Sequence, residues 1–232
     1  MTWEALFFDL DGTLYHPEQG LWQAVGRRIE AFLQRYLGLS PQEARQQRLR
    51  FAERYGTTLR GLQEEHGLDP WEYLTYVGQV PVEAYIHPDP HLRALLESLP
   101  YPKWVFTNAD APYARRVLRS LGVEDLFQGI IDIQAMGWVP KPQKEAFRRA
   151  WAAAGVRHPA RTLLVDDLVR NVRGALEAGM AAVLVHPQPP AEPLPWIPSL
   201  EHLPAWLNGH APIAAPAADE PSPSEKQNAA GA

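Results

Sequence analysis

The chain of 232 residues has no cysteine. That excludes disulfides, a thiolate nucleophile and a zinc–thiolate centre. It has few basic residues relative to acidic ones: the formal net charge is −5 and the pI about 5.9. A surface that grips a nucleic-acid polymer or an anionic membrane needs the opposite balance. No apolar run is long enough to cross a bilayer. The first residues lack a basic stretch followed by an apolar one, so no signal peptide is expected and a cytoplasmic location fits. Proline is plentiful, with 23 residues, many in the last third. The remainder is ordinary for a soluble globular protein, 46% hydrophobic and 21% charged.

Residues 4–8 read as a buried strand that runs into Asp9-Leu10-Asp11-Gly12-Thr13. Asp9 and Asp11 are two positions apart, so in extended chain both carboxylates point the same way. Two carboxylates together at the end of a buried strand repel each other and lose water. Such an arrangement suits a divalent cation or acid/base chemistry, although a solvated Asp-Gly turn is the plain alternative.

From about Pro17 to Val80 the pattern is helical. Leu21, Val25, Ile29, Phe32, Leu33 and Tyr36 recur at steps of three and four. Ser40-Pro41 followed by Glu43 reads as a helix start. After His87-Pro88 helices and strands alternate: helix 89–99, strand 103–107, helix 112–121, strand 129–133, helix 142–154, strand 162–166, helix 170–179, strand 181–186. This alternation predicts a parallel sheet covered on both faces, interrupted by a helical block just after its first strand. Pro187 to Pro195 reads as a connector. Ser199–Leu207 reads as a short helix that Pro204 would kink or split. From about Gly209 the chain has almost no large apolar residue and reads as disordered.

Ligands of parallel α/β sheets bind beyond the carboxyl ends of the strands. Those ends deliver Asp9 and Asp11, Thr107 and Asn108, and Asp166 and Asp167, while Pro140-Lys141-Pro142 brings a lysine to a helix start. Singly, each has an everyday reading as a turn, a helix cap or a solvated charge. Together they make an oxygen-rich set with one cation, suited to a phosphoryl group and a hard metal, magnesium before zinc or iron.

In this order, DLDGTLY, VFTN, the lysine of PKPQKEAF, and VDDLVRN resemble the four motifs of the haloacid dehalogenase-like hydrolases. The resemblance covers residues 1 to about 207. It implies a Rossmann-like parallel-sheet core of residues 1–16 and 87–208 with a helical cap of 17–86; residues 209–232, read from composition as a disordered tail, lie outside it. Tyr55-Gly56, LRGL at 59–62, His66, Tyr73, FTNAD and RVLRSLGVEDLF further resemble the pyrimidine 5′-nucleotidase branch. Gly12 and Gln143 depart from that branch, which often has asparagine and aspartate there.

The resemblance implies a phosphomonoesterase. Asp9 would be the nucleophile that forms an aspartyl-phosphate, and Asp11 the general acid and then base. Magnesium would be held by Asp9, the backbone carbonyl of Asp11, and Asp166. Asp167 would support its loop or reach the metal through water. Thr107 and Asn108 would bind phosphoryl oxygens, Lys141 would neutralise charge, and Asn171 would tie down the fourth-motif loop. Tyr55 and Arg60 are candidate substrate contacts; Phe51 and Trp71 read as packing residues. The expected substrate is a small phosphate, a nucleoside monophosphate before a sugar phosphate. A phosphomutase would use the same intermediate. A dehalogenase is disfavoured because Asp11 would have no leaving group to protonate. A non-catalytic binding protein is disfavoured by the intact set of polar groups, and a phosphoacceptor receiver domain by the helical insertion.

Overall fold

The computed structural model describes residues 2–212. Six parallel strands form one sheet: β1 (Ala5–Phe8), β2 (Lys103–Phe106), β3 (Gly129–Ile131), β4 (Thr162–Asp166), β5 (Ala181–Val185) and β6 (Trp196–Ile197). Their spatial order is β3-β2-β1-β4-β5-β6. The order changes direction at β1, which pairs with β2 on one side and β4 on the other. The crevice at such a reversal is where α/β sheets bind ligands.

β1 shows why the sheet is covered on both faces. All four of its residues are buried. Leu6 and Phe8 join the apolar cluster on one face, with Val117, Leu118 and Leu203. Ala5 and Phe7 join the cluster on the other, with Phe147, Val172 and Ala175. The two-residue alternation of strand side chains makes this division. The covering helices are α5 (Pro90–Ser98), α6 (Ala111–Leu121), α7 (Lys144–Ala153), α8 (Val169–Ala178) and α9 (Leu203–Gly209).

Between β1 and α5 lie α1 (Leu21–Leu37), α2 (Pro41–Tyr55), α3 (Thr58–His66) and α4 (Pro70–Val77), with no strand among them. α2 starts at Ser40 with a reciprocal cap. The Ser40 hydroxyl accepts from the Glu43 amide, and the Glu43 carboxylate accepts from the Ser40 amide at 2.8 Å. Phe51 of α2 is fully buried among these helices, with Leu59 and Leu62. Phe51→Ala should cost about 3–5 kcal/mol through the cavity it leaves. Urea unfolding checks this; a loss under about 1 kcal/mol would show that the helices close over the gap.

Four expectations shift. The strand foreseen over 129–133 stops at Ile131, because the buried Asp132 carboxylate takes the amides of Ala111 (2.9 Å) and Ala135 (2.8 Å) and turns the chain. The helix foreseen from 142 begins at Lys144. The helix foreseen over 199–207 is split rather than kinked: a 3-10 turn (Leu200–His202) precedes α9, and Pro204 sits in the first turn of α9, where a missing N–H costs nothing. The proline-rich connector leads into an unforeseen edge strand. There Pro195 O accepts from Leu184 N (2.9 Å) and Ile197 O from His186 N (3.1 Å). The disordered tail expected over 209–232 lies, from residue 213 onward, outside the described residues.

Candidate active site

Asp9 follows β1 directly, and its amide still donates to Val165 O of β4 at 2.9 Å. The chain then turns sharply through Gly12, whose φ is +90°. That φ disfavours any side chain. A Cβ there would also lie 2.5 Å from Asp167 Oδ2, so the first and fourth motif loops are packed against each other.

Lys141 joins the strand ends from below. Its side chain is wholly buried, and its Nζ donates to Asp9 Oδ1 (2.8 Å) and Asp166 Oδ2 (2.7 Å). The ammonium also stands 4.9 Å from the centre of the Phe106 ring. Burial opposes the lysine charge, but the carboxylates of Asp166 and Asp9 outweigh it and push the pKa up to about 12. The lysine is therefore a fixed cation. Its loop is held by two backbone bonds to one amide side chain: Asn108 Nδ2 donates to Lys141 O (3.1 Å), and Lys141 N donates to Asn108 Oδ1 (2.8 Å).

Asp166 is equally constrained. Asn171 Nδ2 lies 3.0 Å from both of its oxygens, and Leu168 N donates to Oδ1 at 2.9 Å. Asn171 thus ties down the fourth-motif loop. Beside Asp166 stands Asp167, and Asp9, Asp166 and Asp167 each bring one carboxylate oxygen within 4.8 Å of the others. Burial, with the neighbouring Asp166 charge, pushes the Asp167 pKa up to about 7. Burial, against the pull of Lys141, also raises that of Asp9. Asp167 Oδ1 is buried with no hydrogen-bond partner among the described residues. An orphaned carboxylate oxygen in an all-oxygen cluster with surplus negative charge fits a hard divalent cation.

Above Asp9 and Asp11 opens a cavity of about 220 Å³. Thr107 and Asn108 line it from the sheet. Thr107 is buried, and its Oγ1 accepts from Ala109 N at 3.0 Å, which fixes the hydroxyl at the strand end. The opposite wall comes from the helices after β1, with Trp22, Val25, Ile29, Tyr73 and Leu74 making it apolar. Arg48 and Arg170 add two cations to the lining.

The structure brings Asp9, Asp11, Thr107, Asn108, Lys141 and Asp166 together. It does not bring Tyr55 and Arg60 to the cavity. The Tyr55 hydroxyl donates to Glu65 at 2.9 Å on the outer side, and Arg60 is paired with Glu64 one turn along α3. The face of α2 that meets the cavity is that of Ala52 and Gly56, four positions apart, and Tyr55 stands off it. Of the two packing residues foreseen, Phe51 is buried, whereas Trp71 is 47% exposed and meets Trp138 edge to face.

Sequence reasoning missed Tyr15, Tyr113, Trp22, Arg48 and Arg170. Tyr15 directly follows the first motif and could have been noticed there. Tyr113 carries no local signal, since it reads as one more apolar position of an amphipathic helix. Both tyrosine hydroxyls donate to Asp11 Oδ1.

Residues 3–179 match the family profile of the haloacid dehalogenase-like hydrolases. Phosphate metabolism protein 8 of Saccharomyces cerevisiae is 30% identical over 195 residues, covering 78% of this chain and 61% of the yeast protein. The chain thus spans less than two thirds of that relative. Glyceraldehyde 3-phosphate phosphatase of Methanopyrus kandleri is 27% identical over 197 residues, covering 78% of this chain and 83% of that protein. Among solved structures, CbbY of Rhodobacter sphaeroides in complex with phosphate superposes with a TM-score of 0.64 at 18% identity. That match covers 87% of this chain and 96% of CbbY, and it shows a shared fold. Among the described residues, no helix is long and apolar enough to cross a membrane.

Proposed function

The chain belongs to the haloacid dehalogenase-like hydrolase family, and we propose that within it the protein is a magnesium-dependent phosphomonoesterase acting through an aspartyl-phosphate. The observation that carries this reading is the buried Lys141 bonded to both Asp9 and Asp166 beneath a cavity that Asp11 and Thr107 also line.

Asp9 attacks phosphorus through its carboxylate, and the bond from phosphorus to the ester oxygen breaks. Asp11 gives its proton to the departing alkoxide. A water then attacks the aspartyl-phosphate, Asp11 takes its proton, and phosphate leaves with Asp9 restored. Thr107 and the backbone at Asn108 hold the non-bridging oxygens, and Lys141 balances their charge. Asp9, Asp166 and the backbone carbonyl of Asp11 would hold magnesium, with Asp167 beside them. The bound ion would offset repulsion between Asp9 and the phosphoryl group.

The helices of residues 17–86 act as a cap that shapes the leaving-group side of the cavity. Its modest volume and apolar wall support a compact substrate with a planar or apolar portion, a nucleoside monophosphate with a pyrimidine base. Trp22, at 45% exposure on the cavity wall, replaces Tyr55 as the aromatic residue able to stack on a base. The name of the Methanopyrus relative favours a second reading, a small sugar phosphate.

Phosphate release from UMP, CMP, AMP, GMP and several sugar phosphates tests both readings. UMP or CMP should show the highest kcat/KM with magnesium, and chelator should abolish turnover. A sugar phosphate exceeding every nucleotide by about tenfold, or about 1.4 kcal/mol of transition-state binding, would overturn the nucleotidase reading. Full activity in chelator would remove the metal from the mechanism.

A further inference from the structure

Asp11 has an unusual pair of neighbours. Tyr113 OH donates to its Oδ1 at 2.7 Å, and Tyr15 OH makes a short bond to the same oxygen. The two phenol oxygens are 3.4 Å apart, at the long limit of a bond to each other, while both lie close to Oδ1. The tyrosines reach Asp11 from separate parts of the fold. Tyr15 comes from the loop after β1, where residues 11 and 15 form an isolated bridge. Tyr113 comes from the first turn of α6. Both rings are buried in the apolar cluster on that face of the sheet, so neither hydroxyl swings freely.

Oδ1 has two lone pairs, and two donors fill them. A proton could reach Oδ1 only by displacing one phenol. A carboxylate oxygen has no proton to give, so in both bonds the phenol hydroxyl is the donor. Asp11 Oδ2 takes no hydrogen bond from any described residue, and Asp11 lines the cavity.

We propose that Tyr15 and Tyr113 are positioning residues for the Asp11 carboxyl group: together they occupy Oδ1 and fix Oδ2 as the oxygen that delivers and collects the proton at the ester. The inference rests on the phosphomonoesterase reading and adds to it a reason why Asp11 and not its neighbours does the proton transfer. Asp9 is committed to Lys141, and Asp166 to Lys141, Asn171 and the Leu168 amide. Asp11 alone of these three is held by neutral donors on one oxygen only.

Tyr15→Phe, Tyr113→Phe and the double variant keep the rings and remove the donors. The readout is kcat/KM, which reports steps up to formation of the aspartyl-phosphate. Two esters are compared: p-nitrophenyl phosphate, whose leaving group departs without a proton, and a simple alkyl monophosphate, which needs one. The double variant should lose at least about tenfold more on the alkyl ester than on the aryl ester, within the range general acids contribute. The single variants should fall between. A role in packing alone would lower both esters in parallel, and parallel loss or no loss overturns the proposal while leaving the phosphatase reading intact. If the double variant does not fold by thermal melting, the single variants carry the same comparison. Wild-type protein that hydrolyses neither ester overturns both readings.

Discussion

Asp9→Asn should lower phosphatase turnover by at least about 10³-fold, the scale seen when a covalent nucleophile is removed, while leaving the protein at least as stable as wild type. The amide cannot form an acyl-phosphate, but its oxygen can still accept from Lys141 Nζ, which bonds Asp9 Oδ1 at 2.8 Å. The substitution also removes one negative charge from a buried group already crowded by Asp166 and Asp167. Activity and stability therefore move in opposite directions, as they do where a site stores repulsion for use in catalysis. Steady-state kinetics with thermal melting on one preparation checks both halves. Wild-type turnover in this variant would sink the aspartyl-phosphate mechanism. A large fall in melting temperature would show instead that the Asp9 charge is needed to hold Lys141.

Lys141→Ala should do the reverse and damage both properties. With the ammonium gone, two buried carboxylates face each other across a void. Removing one partner of a buried charge pair typically costs about 3–5 kcal/mol. Catalysis should fall by about 10²–10³-fold, because a fixed charge at the phosphoryl group is lost. Magnesium should raise the melting temperature of this variant more than that of wild type, since a cation at Asp9, Asp166 and Asp167 would replace the missing one. Thermal melting and urea unfolding, each with and without magnesium, measure this. An unchanged unfolding midpoint would mean that the carboxylates take up protons and that the lysine contributes nothing to the fold.

The groups at the strand ends were legible in the sequence for a physical reason. A parallel sheet places the residue after each apolar run at one rim, so Asp9, Thr107 and Asp166 could be assigned to the same place without knowing the strand order. Lys141 was legible because prolines bracket it at a helix start. Tyr113 was not legible. Its bond to Asp11 joins residues 102 apart in the chain and exists only because α6 passes that rim. Tyr55 and Arg60 were misplaced because a helix turns 100° per residue, so one or two positions decide whether a side chain meets a cavity or water. The chain order of motifs identified a helical insertion but not which face of it looks inward. Arg48 belongs to that inward face, and nothing in its neighbours along the chain marks it, whereas Arg170 stands inside the fourth motif, in the first turn of α8.

The two-residue strand β6 also has a bearing on how these molecules coexist at high concentration. A sheet rim with free amides is a template for pairing with another copy. Here the last strand is Trp196–Ile197, with Pro195 before it and Pro198 after it. Proline offers no N–H to an incoming chain, and two residues give too little length to register one. At the opposite rim β3 has only three residues before Asp132 turns the backbone away. Among the described residues neither rim of the sheet offers a seventh strand a full-length partner, which guards the buried parallel sheet against fibrous self-association.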